Sequence, residues 1–138
     1  MYPRLRVGIL TDTARGCPFP ISQDACFDGQ LWILCEHIRR VLELSQRYDL
    51  IVADRSIYDV AAYSELAGLH ELRDLVIKFP FFPYSQLILH DTAQNNHFHD
   101  DGLRDTCPRY REAMERCLLG ILEEANVRYV LHREGVNA

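Results

Sequence analysis

The twelve residues "YDLIVADRSIYD", Tyr48 to Asp59, decide how the rest of the chain is read. Leu50 to Ala53 are four apolar residues without polar alternation, the pattern of a strand covered on both faces. Asp54, Arg55 and Ser56 follow at once, and a new apolar-periodic segment starts behind them. Open α/β sheets bind their ligands beyond the carboxyl ends of their strands, so this acid, base and hydroxyl stand where a site belongs. Ser56 suits the N-cap of the following helix better than it suits a nucleophile.

Working outward, Leu5 to Leu10 reads as a first strand, and Thr11 to Ser22 as a loop broken by Gly16, Pro18 and Pro20. A helix is expected from about Gln23 to Gln46, with Ser22 as its cap and Phe27, Leu31, Leu34, Ile38 and Leu42 as its apolar stripe. Helices are expected over Ile57 to Ala67, stopped by Gly68, and over His70 to Lys78. Gln86 to His90 reads as a third strand, and Asp91 to Asp105 as a polar lid. Pro108 opens a last helix on the face Tyr110, Met114, Cys117, Ile121 and Ala125, before a strand at Arg128 to Leu131. Strands alternating with helices predict an α/β domain of three layers, a mostly parallel sheet of about four strands with helices on both faces.

The 138 residues suit one domain with its own core. Five cysteines, without a CxxC pair, read as reduced packing residues, which points to the cytoplasm. The start lacks the apolar run of a signal peptide, and no stretch reaches the roughly 20 apolar residues a membrane span needs. A net charge of −5 argues against nucleic acid as a partner. The cations are lopsided, with Lys78 the only lysine. Arginine forks suit phosphate, although a GC-rich genome produces the same bias.

Four polar clusters carry the possible chemistry. Asp12 and Arg15 follow the first strand, Asp54 to Ser56 the second, Asp91 the third, and Asp101, Arg104 and Asp105 stand in the lid. Parallel strands put the first three on one edge of the sheet. Carboxylates there could hold hydrated magnesium or take a proton from a hydroxyl, and arginines could neutralise phosphoryl oxygens. Each cluster alone has a plainer reading as a turn or cap. The histidines of "NNHFHDD" (His97, His99) read as a solvated stretch rather than a metal site. Trp32 and the aromatics Phe79, Phe81, Phe82 and Tyr84 read as core or subunit contact, with a platform for a base as the alternative.

The runs "TDTARGCPFPISQDACFDGQLWILCEHIRR" (Thr11–Arg40), "YDLIVADRSIYDVAAYSE" (Tyr48–Glu65) and "DDGLRD" (Asp100–Asp105) resemble the kinase-like branch of the P-loop ATPases. More narrowly, they are similar to the small AAA-type ATPases that include the ribosylnicotinamide kinase domain; deoxynucleoside and thymidylate kinases are more distant. The resemblance implies transfer of phosphoryl from ATP, with Mg, to a small hydroxylated, nucleoside-like acceptor. It implies Asp54 as base or magnesium organiser, Arg55 and Arg104 as phosphate contacts, and Asp12, Arg15 and Gln30 as the acceptor pocket.

The family's phosphate loop, G-x-x-x-x-G-K-[ST], has no match in the 138 residues. Measured against the family, the chain begins at the second strand, which reads as amino-terminal incompleteness or as descent to a non-catalytic binding or regulatory module. The family's first strand would lie between the strand ending at Asp54 and the one ending near Asp91. Without it, Leu50 to Ala53 is expected to pair directly with Leu87 to Leu89, or the chain to self-associate.

Overall fold

The computed structural model describes residues 4–79, 81, 83–90 and 107–132. Strand β1 (Val7–Leu10) leads through a 3-10 turn at Thr13–Gly16 and another at Ser22–Asp24 into helix α1 (Phe27–Ser45). Strand β2 (Leu50–Ala53), helices α2 (Ile57–Leu66) and α3 (His70–Lys78), strand β3 (Ile88–His90), helix α4 (Pro108–Glu124) and strand β4 (Val130–His132) complete the order. All the pairing is parallel. Val7 to Leu10 run in register with Leu50 to Ala53, and Ile88 to His90 with Val130 to His132.

At the open end of the first pair, Arg6 and Asp49 exchange backbone and side-chain bonds. The Arg6 N–H donates to the Asp49 carboxylate at 2.9 Å, and the Asp49 N–H returns to the Arg6 carbonyl at 2.8 Å. Gly8 is needed inside β1 because the Tyr48 ring lies on it, 2.6 Å from where a Cβ would stand. Gly68, at φ 77°, ends α2 in the left-handed conformation that favours glycine.

Helix α2 is the hub of the core. Ile57, Val60, Ala61, Ala62 and Ser64 are buried on nearly every side of it, and it packs on α1, α3 and α4. A helix apolar all round must sit inside, and two alanines let neighbours approach closely. Ser64 stays satisfied there by donating to the Val60 carbonyl at 2.7 Å. Leu72 and Val76 of α3, and Met114, Leu118, Ile121 and Leu122 of α4, close the cluster.

Two expectations need correction. Among the described residues the strands form two separate two-stranded sheets, β1–β2 and β3–β4, so Leu50–Ala53 does not pair with Leu87–Leu89. Residues flanking β3 are committed to β4 instead, as the Val130 N–H donating to the Leu87 carbonyl at 2.9 Å shows. The α/β character and parallel sense hold. β2 is not covered on both faces: α1 lies on one side of the β1–β2 pair, while Leu50 and Val52 stand exposed on the other. The lid span Asp91–Asp105 and His97 and His99 lie outside the described residues.

Candidate functional site

Beyond the carboxyl ends of β1 and β2 opens a narrow cleft of about 40 Å³. Three segments build it. The 3-10 turn after β1 supplies Asp12 and Thr13, the buried face of α1 supplies Gln30, Ile33 and His37, and the β2–α2 junction supplies Arg55, Ser56 and Asp59. Ile21, Val60 and Tyr63 give it an apolar wall.

Asp12 is buried, and its Oδ1 accepts the Ala14 N–H at 3.1 Å, an Asx turn that starts the 3-10 turn. Thr13 beside it is also buried. Gln30 is 2% exposed, and among the described residues its Oε1 has no hydrogen-bond partner. A buried acceptor left without a donor costs about 1–3 kcal/mol, so a group pointing into a cleft in this state is set for a ligand's N–H or O–H. His37, seven residues on along the same face of α1, is 1% exposed. Burial holds its imidazole below the ordinary 6.5; Asp59 pulls it back up and Arg40 adds to the lowering.

The β2–α2 junction is tightly determined. Ser56 caps α2: its Oγ accepts the Tyr58 N–H at 3.2 Å, and Asp59 Oδ2 accepts the Ser56 N–H at 2.8 Å and its hydroxyl at 3.0 Å. The Ile57 N–H donates to the Tyr84 hydroxyl at 3.1 Å, which docks the segment before β3 against this helix start. Arg55 sits between strand and cap at φ 81°, a left-handed conformation rare for a residue with a Cβ. Strain of this kind collects at functional sites.

Asp12, Gln30 and Arg55 therefore share one cleft. Asp54 does not line it: its side chain is 70% exposed and reaches Arg55 Nε only at 4.0 Å. Arg15 is exposed on the 3-10 turn, outside the lining. Arg104 lies outside the described residues. His37, Asp59 and Tyr63 enter the site without having been singled out in the sequence. The signal for His37 was present, as a polar residue in step with Gln30 and Ile33 on a helix face. Among the aromatics, Tyr84 packs against the core beside Tyr58, whereas Phe79 and Phe81 are exposed.

The family model for an AAA domain matches residues 22–138, most of the chain. The chain belongs to the AAA domain family. No curated protein and no solved structure matches it. An AAA domain is a nucleotide-binding, ATPase-like module, and such domains generally bind ATP with magnesium. The 138 residues contain no G-x-x-x-x-G-K-[ST] run, the form of loop whose backbone N–H groups and lysine hold the phosphates of ATP. Nor, among the described residues, do three or more His, Cys, Asp or Glu residues gather as a metal site. Of Asp12, Asp54 and Asp59 at the ends of β1 and β2, Asp54 is the exposed one, and magnesium ordinarily needs substrate phosphate beside a carboxylate. Among the described residues no helix is long and apolar enough to cross a membrane.

Proposed function

We propose that the chain carries the acceptor half of a kinase-like phosphoryl-transfer site, taking a small hydroxylated, nucleoside-like molecule. The observation that supports this most is the shared cleft of Asp12, Gln30 and Arg55, in which Gln30 Oε1 has no hydrogen-bond partner among the described residues. The narrow cleft would have to widen for a flat ligand body to lie against Ile33, Val60 and Tyr63, with a donor group toward Gln30. The Asp12 carboxylate accepts a ligand hydroxyl, holding its oxygen and drawing its proton. The Arg55 guanidinium is the cation at the mouth, suited to a phosphoryl group on that oxygen. ATP with magnesium would supply the phosphoryl group.

The second reading is a non-catalytic binding or regulatory module built on the same cleft. It is favoured by the lack of a phosphate loop in the 138 residues and by the solvent-facing position of Asp54. Both readings require the cleft to bind. Thermal-shift and calorimetric titration with adenosine, cytidine and uridine should show binding, removed by Asp12→Asn and by Arg55→Ala. Mg-ATP alone should give no response. Absence of any nucleoside response sinks both readings. Nucleoside binding separates them: a phosphorylated product after incubation with Mg-ATP, seen by mass spectrometry, supports the enzyme, and its absence supports the module.

A further inference from the structure

Strands β3 and β4 run parallel and in register, so residues directly opposite one another share a face. Ile88 meets Val130, Leu89 meets Leu131, and His90 meets His132 at the carboxyl end. Leu89 packs against the core, which leaves the two histidines on the other face, both exposed. Their ring centres lie 4.9 Å apart with the planes at 75°. Among the described residues no hydrogen bond or ion pair occupies either imidazole. Edge-to-face packing is one use of such a pair. Shared ligation of a metal ion is another, and the spacing suits it.

We propose that His90 and His132 form a two-histidine chelate for a divalent transition-metal ion of the zinc, nickel or copper type. An ion bonded to an imidazole nitrogen at about 2.0–2.1 Å stands about 3.2 Å from the centre of that ring. Two rings on one ion, at the roughly 90° to 109° of octahedral or tetrahedral geometry, then have centres about 4.5–5.2 Å apart. The observed 4.9 Å falls inside that window. The crossed planes matter as well. Stacked rings aim their in-plane lone pairs along parallel planes, whereas crossed rings can aim them at one point. Both side chains are exposed, so the small rotations that bring one nitrogen of each to the ion are not opposed by core packing. Imidazole suits zinc, nickel and copper, while magnesium prefers oxygen. The pair is thus different in kind from a magnesium site of carboxylate and phosphate, and the proposal does not depend on what the cleft binds. Two protein ligands leave the other positions on the ion to water or to donor atoms of a small molecule. They stand at the carboxyl ends of parallel strands, where α/β sheets take their ligands.

Calorimetric titration of the full chain with zinc chloride and with nickel chloride tests it, with magnesium chloride as the control. Zinc and nickel should bind, and magnesium should give no heat at the same concentrations. His90→Ala and His132→Ala should each weaken zinc binding about tenfold or more, since one imidazole alone does not chelate. His70→Ala, and the double substitution His97→Ala with His99→Ala, should leave the affinity unchanged. In the parent chain, zinc should shift the imidazole NMR signals of His90 and His132 together, a readout that needs no variant to fold. A parent chain that binds neither zinc nor nickel overturns the inference. So does zinc binding that persists in both single variants, that follows His97 and His99 instead, or that leaves the His90 and His132 signals unmoved.

Discussion

The Arg55 guanidinium lies 3.6 Å from the carboxylate of Asp59, one helical turn further on, while the Arg55 backbone is held at φ 81°. The same carboxylate caps the Ser56 end of α2 through two hydrogen bonds. One side chain thus fixes a helix start and a strained cation at the mouth of the cleft. Strand geometry carries the chain to Asp54, cap geometry restarts it at Ser56, and Arg55 absorbs the mismatch.

Relieving that mismatch should separate stability from binding. Arg55→Gly adopts the left-handed backbone without strain, a difference of order 1 kcal/mol, offset in part by the greater freedom of glycine in the unfolded chain. Urea unfolding is expected to show Arg55→Gly as stable as the parent or slightly more so, with nucleoside binding lost. Asp59→Ala should do the reverse to stability, lowering it by about 1–2 kcal/mol through loss of the cap. A loss of stability in Arg55→Gly comparable to that in Asp59→Ala would contradict the strain assignment.

Gln30 offers a parallel test on the other wall of the cleft. Its Oε1 is buried without a donor, so Gln30→Leu, close in volume, removes an unsatisfied polar group and restores an apolar stripe on α1. The free protein should melt at the same temperature or a few degrees higher. The same variant should lose any nucleoside-induced rise in melting temperature. A Gln30→Leu protein several degrees less stable would place Gln30 in a structural network instead.

Much of this arrangement is legible in the sequence, for physical reasons that differ between elements. The β2 core, the Ser56 cap, α3 and the start of α4 at Pro108 follow from short-range chemistry: apolar runs, a hydroxyl before a helix, a breaker at its first turn. Helix α1 is legible as a helix, and its phase only in part. Of the stripe Phe27, Leu31, Leu34, Ile38 and Leu42, the middle three pack into or against the core, whereas Phe27 and Leu42 are exposed and Gln30 and His37 are buried beside it. Apolar periodicity discounts polar side chains, and these two are inside because they line a cleft. The helix also starts later than Gln23, since Ser22 takes φ 61° in a separate 3-10 turn and Cys26, not Ser22, holds the N-cap position. The division into two sheets is not legible at all. An apolar run such as Leu50–Ala53 has the same composition whether one face or two are covered.

Arg73 joins three helices and gives a prediction remote from the cleft. Its guanidinium lies 3.3 Å from Glu65 of α2 and 2.9 Å from Asp74, and it bonds Glu124 at the end of α4. The side chain is largely buried, so its removal leaves two carboxylates from different helices facing each other without a cation. Arg73→Met keeps most of the packing volume and should still lower stability by about 1–3 kcal/mol in urea unfolding. Glu124→Gln should cost less, since Glu65 and Asp74 continue to hold the guanidinium. Equal effects from the two substitutions would show that the hub is a single pair.

Acid should weaken the fold in two stages. His37 is buried among Gln30 and Ile33 of its own helix, with Asp59 of α2 and Arg40 one turn on as the charges that reach it. Its folded pKa lies below the ordinary 6.5, so between those values the unfolded chain binds a proton the folded chain refuses. Stability therefore falls as pH drops below about 6.5, and levels once the folded imidazole protonates too. Glu36 is the second stage. Hydrogen bonds from Arg39, then Arg40, push its carboxyl down to about 2, so its contribution is full above 4.5 and is lost as pH falls toward 2. Melting temperatures from pH 7.5 to 2.5 should show both slopes. His37→Gln should flatten the first and leave the second; Glu36→Gln should flatten the second and leave the first. An unchanged first slope in His37→Gln would mean that the loss below 6.5 comes from another group, and the neutral buried imidazole would have to be abandoned.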